Sequence, residues 1–494
     1  MPRRVDAGLG AGMEPAGGGV RVSAEFNYDL ICVGSGPAGQ RAAVQAAKLG
    51  KRVAVVEKQK AIGGVCLQTG TIPSKTFREA VRRLCRELGC DAGLGFAPKR
   101  KPSMEQLMRR VDNVIHREED VQIDQMHRND INVILGTASF DSPNSVLVET
   151  AEGSRSLTSR YFLVATGSRP ADPRGVESDG RTVVTSDAIV KMPQLPRTMA
   201  VVGAGVIGTE YATMFSTLGV EVTVVDMRDR LMPFLDHEIS DELMYQMRQK
   251  EVTFRMGEAV KCISILDEPR RQGMIELESG KRIVADVVLY CVGRQACSDG
   301  LNLGVFDIEP DKRGKISVDE NYQTSAANVY AAGDVIGFPA LAATSAEQGR
   351  RAACHMFGAN SETLTANFPI GIYAIPEISM VGKTEEQLTE EKVPYEVGVA
   401  RYREIARGQI LGDDSGVLKM IFHRETGQLL SVHAIGTGVT ELIHVGQAVM
   451  TLGGGIEYFT ENVFNYPTLA ECYKVAALNA ANKLKRVRRI APAA

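Results

Sequence analysis

The chain has 494 residues, 44% apolar and 24% charged, with a formal net charge of −3. At roughly 150 residues per domain that is about three domains, in the balance of a soluble globular protein. Charges of both signs are interspersed and no run of about 18 apolar residues occurs, so neither a nucleic-acid footprint nor a transmembrane helix is expected. The one basic run, Lys483 to Arg489, reads as a solvated helix end.

Residues 1–25 are rich in Gly and Ala and lack an apolar signal core, so they read as a disordered arm. Nine cysteines (32, 66, 85, 90, 262, 291, 297, 354 and 472) form no Cys-x-x-Cys pair. An odd, scattered set fits a reducing compartment, here the cytoplasm. The histidines have no metal spacing, and no metal is expected.

Asp29 to Val33 is a short apolar run and predicts a buried parallel strand. Gly34-Ser35-Gly36-Pro37-Ala38-Gly39 follows at once. An Ala-rich helix runs from Gln40 to Leu49, and a second strand from Arg52 ends at Glu57 with Lys58 beyond it. This is a dinucleotide fingerprint in full context. Gly34 makes the turn, Gly36 lets the backbone approach a pyrophosphate, and Gly39 lets helix and strand pack closely. Glu57 stands where an acid accepts a ribose hydroxyl.

The unit recurs. Thr198 to Val202 leads into Gly203-Ala204-Gly205-Val206-Ile207-Gly208, a helix over about Thr209 to Leu218, and a strand ending at Asp226. Two fingerprints predict two dinucleotide sites, one for FAD and one for an exchangeable nicotinamide. Asp226 suits the free 2′-hydroxyl of NAD, while Arg228 and Arg230 suit a 2′-phosphate. From about Thr363 prolines interrupt the pattern. Val417 to Phe422 and Leu429 to Gly436 alternate like antiparallel strands, with helices at about Thr440 to Thr451 and Ala470 to Lys485.

Between the two fingerprints stands Gly63-Gly64-Val65-Cys66-Leu67-Gln68-Thr69-Gly70-Thr71-Ile72-Pro73-Ser74-Lys75. This stretch resembles the active-site segment of the flavoprotein disulfide reductases, the lipoamide dehydrogenase and glutathione reductase family. That family writes two cysteines four residues apart and then Ile-Pro-Ser-Lys. Here the first cysteine is Cys66 and the second position is Thr71. A hydroxyl can neither form a disulfide nor take an electron pair from a flavin. Cys66 alone reads as a packed side chain.

Further stretches carry the resemblance over about residues 27 to 487. Ala165-Thr166-Gly167-Ser168 matches the crossover out of the first domain, with Thr166 and Gly167 at the FAD. Tyr330-Ala331-Ala332-Gly333-Asp334 resembles the second flavin motif, whose Asp holds the ribityl hydroxyls. By the same match, the helix that begins near Ala342 is implied to face the ring. Leu289 to Arg294 resembles the return strand of the nicotinamide domain, with Gly293 at the coenzyme. Gly64, Cys66 and Lys75 also fall at the flavin by this match. Lys75 is implied to sit beside the flavin's reactive nitrogen, paired with Glu210. The last domain of the family offers a His-Pro-Thr-x-x-Glu segment to the partner subunit. This chain has Tyr466-Pro467-Thr468 with Glu471 retained. A neutral phenol is a poor base at pH 7.

Gly-Thr-Ile-Pro-Ser-Lys behind a lone Cys, with Asn-Tyr-Pro-Thr-x-Ala-Glu, resembles the soluble, energy-independent (Si-specific) pyridine nucleotide transhydrogenases. Leu67-Gln68-Thr69-Gly70 departs from the Thr-His-Trp-Gly of the best-known members, and the chain has no Trp. The resemblance implies an α/β chain with two Rossmann-like domains and an α+β dimerisation domain. Their expected bounds are 26–169 with 297–362 for FAD, 170–296 for NAD(P), 363–487 for dimerisation, and a tail at 488–494. It implies reversible hydride transfer between NADPH and NAD+ through FAD, by a ping-pong route, in a homodimer or larger homo-oligomer. Thr71, Lys75, Glu210, Tyr466 and Glu471 are the implied catalytic set. The alternatives are an NAD(P)H dehydrogenase passing electrons to a quinone or dye, a non-catalytic FAD-binding partner or sensor, and a disulfide reductase pairing Cys66 with Cys85 or Cys90.

Overall fold

A computed structural model describes residues 26–87, 103–173, 175–361 and 367–490. The arm at 1–25 and Cys90 lie outside the described residues. The first α/β unit opens with β1 (Tyr28–Val33), α1 (Pro37–Lys48) and β2 (Val53–Glu57). Two helices follow, α2 (Gly64–Gln68) and α3 (Thr71–Glu87), then the long α4 (Met104–Arg128). Strands β3 (Asn132–Leu135), β4 (Thr137–Ser142), β5 (Ser145–Thr150) and β6 (Gly153–Val164) complete its first pass.

The chain then crosses by β7 (Ser168–Pro170) and β8 (Val183–Thr185) into a second α/β unit. That unit holds β9 (Thr198–Val202), α5 (Val206–Thr217), β10 (Glu221–Asp226), α6 (His237–Gln249), β11 (Thr253–Met256), β12 (Val260–Leu266), β13 (Gln272–Leu277), β14 (Arg282–Ala285) and β15 (Val287–Tyr290). It returns through β16 (Arg294–Ala296), β17 (Val329–Ala331) and α7 (Ala342–Met356) to the first. Strand β16 pairs antiparallel with β7, and β17 pairs parallel with β6 of the first sheet.

The two main sheets share one construction. In the first, β3, β2, β1, β6 and β17 run parallel; in the second, β11, β10, β9, β15 and β8 do. Strand β2 is buried at every position, as a parallel strand covered on both faces must be. The fingerprint glycines explain the packing. A Cβ on Gly39 would stand 2.0 Å from the Gly34 carbonyl oxygen, and one on Gly208 would stand 1.9 Å from that of Gly203. Only a bare backbone lets each helix sit that close to its strand. The first helix starts at Pro37, earlier than Gln40, because proline at the first turn gives up an amide that has no helical partner there.

The C-terminal unit is an antiparallel sheet in the order β18 (Ile370–Ile372), β19 (Ile378–Gly382), β22 (Leu429–Ile435), β21 (Val417–His423), β20 (Tyr395–Arg401). The helices are α8 (Glu385–Glu390), α9 (Ala406–Leu411), α10 (Val439–Thr451), α11 (Ile456–Glu461) and α12 (Glu471–Ile490). The expected antiparallel strands and both expected helices are present; α8, α9 and α11 are additional. One apolar core joins Phe77 of α3, Phe215 of α5 and Ile372, Ala374 and Ile378 of the C-terminal unit. The Phe77 and Phe215 rings stand 5.9 Å apart. Three units therefore meet where α3 begins.

A buried ionic cluster adds a second junction. Lys419 on β21 is 1% exposed and places Nζ 2.9 Å from Asp236 Oδ1 and 3.2 Å from Glu238 Oε2, with Glu385 also in contact. These carboxylates are close enough to share one cation, and the Lys419 ammonium takes that place.

Candidate active site

Each half of the candidate site is built at the carboxyl ends of parallel strands, where open α/β sheets bind ligands. At the first fingerprint Gly34 takes φ +107°, and helix α1 begins with no side-chain cap and no acid in its first turn. Its free amides are suited to an anion. Glu57 is buried. Its Oε2 accepts from the Ser35 amide at 3.0 Å and hydroxyl at 2.6 Å, and Oε1 from the Gln59 amide at 2.9 Å. The Ser35 hydroxyl in turn accepts the Gly63 amide at 2.9 Å. Ser35 thus ties the ribose acid to the active-site segment. Lys58 is exposed beside it.

The fit to a dinucleotide can be read from the glycines. Gly39 and Gly208 are required by the protein's own backbone. A Cβ on Gly36 or Gly205 would meet no protein atom within 4 Å. Those two positions open onto a cradle that a side chain would fill, and a ligand is the remaining reason for a bare backbone there. The Thr69 and Thr166 hydroxyls are buried without a protein partner, as groups waiting for a ligand are. Gly167 is at φ +69° with open space beyond it.

At the second fingerprint Gly203 takes φ +108° and α5 again starts without a side-chain cap. Asp226 Oδ2 accepts the Ala204 amide at 2.6 Å. Arg228 clasps the same carboxylate, Nε to Oδ1 at 2.9 Å and Nη2 to Oδ2 at 2.7 Å. Burial pushes the Asp226 carboxyl up, yet Arg228 and two backbone amides outweigh it and hold it below the usual range. Arg230 is engaged elsewhere, at 2.5 Å from Asp241. Of the two arginines only Arg228 stands at the acid. Gly293 at φ +108° opens onto free space nearby.

Between the halves lies the segment from Gly63. It folds as two helices broken at Thr69-Gly70. Gly63 and Gly64 take φ +105° and +58° ahead of α2. Cys66 on α2 faces the Thr71 hydroxyl that opens α3. Burial pushes the Cys66 thiol up, against a smaller downward pull from that hydrogen bond and from Lys75. A half-buried thiol with a raised pKa is a poor nucleophile. Lys75 reaches Glu210 across the units, Nζ to Oε2 at 2.5 Å, with side chains 26% and 4% exposed. The expected pair is therefore an ion pair and not two unrelated surface charges.

The return pass brings Asp334 to the same edge. Its Oδ2 accepts the Ser168 hydroxyl at 2.7 Å, and Arg294 donates to that hydroxyl at 2.7 Å. Helix α7 begins at Ala342. Tyr466 is 67% exposed in the single chain. Glu471 opens α12 with Oε2 buried and without a partner. Neither is brought to Lys75 within one chain.

The profile described as pyridine nucleotide-disulphide oxidoreductase matches residues 28–349, and that of the same family's dimerisation domain matches 368–477. The chain belongs to the pyridine nucleotide-disulphide oxidoreductase family. FAD is the cofactor of this family and pyridine nucleotides are its substrates, and its C-terminal unit makes the protein a homodimer. The chain is 49% identical over 464 residues to the soluble pyridine nucleotide transhydrogenase of Mycobacterium tuberculosis, covering 93% of this chain and 98% of that one. It is 42% identical to the protein of that name from Hahella chejuensis, covering 93% and 100%. Among solved structures it resembles LpdA from Mycobacterium tuberculosis, with TM-score 0.83, 25% identity and 91% and 99% of the two chains covered. The flavoprotein disulfide reductase RclA from Escherichia coli matches with TM-score 0.82 at 25% identity, covering 91% and 99%.

Five residues of the site carry no spacing signal that points to them. Ser35 is the unspecified position inside a glycine motif. Gln40 bonds the Ser35 carbonyl and Gln122 of α4, each at 2.7 Å, which steadies the fingerprint turn. Tyr373, from the C-terminal unit, gives its amide to Glu210 Oε1 at 2.8 Å. Arg294 and Ser168 lie inside quoted motifs, but their bond to each other needs the β7–β16 pairing to be seen.

Proposed function

We propose that this protein moves hydride reversibly between NADPH and NAD+ through FAD, by a ping-pong route. One observation carries the reading: the Cys66 thiol faces the Thr71 hydroxyl, so the place of the second sulfur holds an oxygen. The proposed domains are 26–169 with 297–362 for FAD, 170–296 for NAD(P) and 363–487 for dimerisation. The proposed compartment is the cytoplasm, on the free, scattered cysteines of the described chain.

FAD, when bound, supplies the ring that takes a hydride from one nicotinamide and gives it to another. The residues of the chain bind and orient. Gly34, Gly36, Gly39, Glu57, Lys58, Gly64, Cys66, Thr166, Gly167, Asp334 and Ala342 are proposed to line its site. Gly203, Gly205, Gly208 and Gly293 line that of the nicotinamide dinucleotide. Asp226 offers a carboxylate to the ribose diol of NAD, and Arg228 offers a guanidinium to the 2′-phosphate of NADP. Lys75 sets a positive charge at the flavin edge, and Glu210 keeps the pair neutral overall. Thr71 forms a redox-inert wall. Tyr466 and Glu471 close the site of the second copy in the dimer, without a base for a thiol.

The test is an anaerobic half-reaction on the FAD-loaded dimer. NADPH is expected to bleach the flavin with no thiolate charge-transfer band, and NAD+ to restore it at a rate that matches turnover. Slow return with NAD+ but fast return with a quinone overturns the proposal in favour of a dehydrogenase.

A further inference from the structure

The Lys75–Glu210 pair is held by a third partner from a different part of the chain. Glu210 spends Oε2 on Lys75 at 2.5 Å and Oε1 on the Tyr373 amide at 2.8 Å. The ring of Tyr373 lies under Lys75, whose Nζ stands 5.2 Å from its centroid, with the Arg78 guanidinium 6.0 Å away. That is within the range of a cation–ring attraction.

The ring is itself fixed from behind. The Tyr373 hydroxyl faces the Thr440 side chain. Thr440 donates to Glu377 Oε2 at 2.8 Å, and Glu377 Oε1 accepts Arg78 Nη2 at 2.9 Å. Arg78 then donates to the Ala374 carbonyl at 2.9 Å, one residue from Tyr373. A Cβ on Gly371 would stand 3.2 Å from Thr440 and 3.5 Å from the Tyr373 ring. The chain of contacts is closed, and it passes through all three units.

We propose that Tyr373 is a positioning residue for the hydride-transfer site, acting through Lys75. Its amide orients Glu210 and its ring holds the Lys75 ammonium where the flavin edge needs positive charge. The proposal rests on the placement of Lys75 at the flavin put forward above. It gives the dimerisation unit a part in tuning the flavin that lies apart from the Tyr466 loop. A looser Lys75 stabilises the reduced cofactor less, so the midpoint potential falls as the ring's attraction weakens.

The test uses the FAD-loaded dimer with a shape-preserving series. Tyr373→Phe is the baseline, and phenylalanines of increasing ring fluorination at the same position drain the ring of its attraction for a cation. Near-equal shape keeps the variants folded. The expected result is a midpoint potential that falls stepwise by about tenfold in the reduction equilibrium, which is about 30 mV for a two-electron couple. The rate of flavin reduction by NADPH falls with it, while KM for NADPH stays level. In a Lys75→Met background the series is expected to be flat. A flat or rising potential in the Lys75 protein overturns the positioning role. If hydride still passes from NADPH to NAD+ in those variants, the transfer reading stands on its own. A series that falls equally without Lys75 also overturns it, because Tyr373 would then act by another route.

Discussion

Arg228 holds Asp226 through one edge of its guanidinium, Nε and Nη2 at 2.9 and 2.7 Å from the two carboxylate oxygens, two residues along the same turn. The acid is 5% exposed and the arginine 44%. The pair is neutral as it stands, and each half suits one coenzyme. A free 2′-hydroxyl wants the acid, and a 2′-phosphate wants the guanidinium. Arg228→Leu is expected to lower kcat/KM for NADPH by about 10- to 100-fold, the worth of a charge-assisted hydrogen bond of ~1.5–3 kcal/mol. The value for NADH is expected to change by less than about threefold, since Asp226 loses a competitor. Steady-state kinetics with each donor checks both. Equal losses for the two donors would make Arg228 a structural prop.

The Lys75–Glu210 pair calls for a different test, because its partners sit on different units. Lys75→Met strands a carboxylate that is 4% exposed with the Tyr373 amide as its remaining hydrogen-bond donor. Breaking a buried pair costs about 3 kcal/mol at the low end of the range, the end that suits a lysine keeping a quarter of its surface. The expected result is a lower unfolding midpoint and flavin reduction by NADPH slower by about two orders of magnitude, the usual loss for one electrostatic stabiliser. Glu210→Gln keeps hydrogen-bond capacity and is expected to lose less on both counts. Stopped-flow reduction and thermal unfolding of the loaded dimer measure the two effects.

Much of this was legible in the sequence because its signals are local. A buried apolar run, Leu30 to Val33, followed at once by Gly34, Gly36 and Gly39 specifies strand, turn and helix within one short stretch, and so does its repeat at Gly203. The Thr71 and Tyr466 departures are single letters in fixed motifs. What was hidden depends on distant chain coming together. Ser35 bridges Glu57 and Gly63, but nothing about an isolated serine says so. Arg228 and Arg230 look equivalent in sequence, and the course of α6 gives Arg230 to Asp241. Tyr373 reaches Glu210 only because the first strands of the last sheet pack on α3 and α5.

Acid stability is expected to depend on His433. Its ring is buried on β22, Nε2 lies 3.0 Å from the Lys383 carbonyl, and Nδ1 is buried without a partner. The carbonyl can only accept, so Nε2 carries a proton. Burial holds its pKa below the ordinary 6.5, against a smaller upward pull from Asp236. The unfolded chain therefore binds a proton first as pH falls, and stability is lost below about 6.5. For Asp236, burial raises its pKa, but His433 and Lys419 outweigh it and the carboxyl lies below 3.8. Its contribution is present above 3.8 and is lost as pH falls further through the folded value. His433→Leu is expected to flatten the fall in Tm between pH 7 and 5 and to leave below pH 4 the part of the loss that Lys419 carries through Asp236. An unchanged slope would place the acid sensitivity in another group.

The Thr71 position gives the most direct chemical test. Cys66 and Thr71 already face each other across the break between α2 and α3, so Thr71→Cys sets two thiols side by side in the frame of a disulfide reductase. Oxidation of the pair removes two thiols and two electrons, and reduction through the flavin returns them. After anaerobic NADPH, thiol titration of this variant is expected to find two more groups than in its oxidised form, and the original chain is expected to show no gain. Turnover of an external disulfide is expected to stay low even so. Transfer of the thiol proton needs a base near neutral pH, and a phenol at position 466 does not supply one. Adding Tyr466→His to Thr71→Cys is expected to raise that turnover by at least about 100-fold, the lower range for general acid–base catalysis. If the double variant gains two titratable thiols and no turnover, the Tyr466 loop does not serve the site in the way the family resemblance implies.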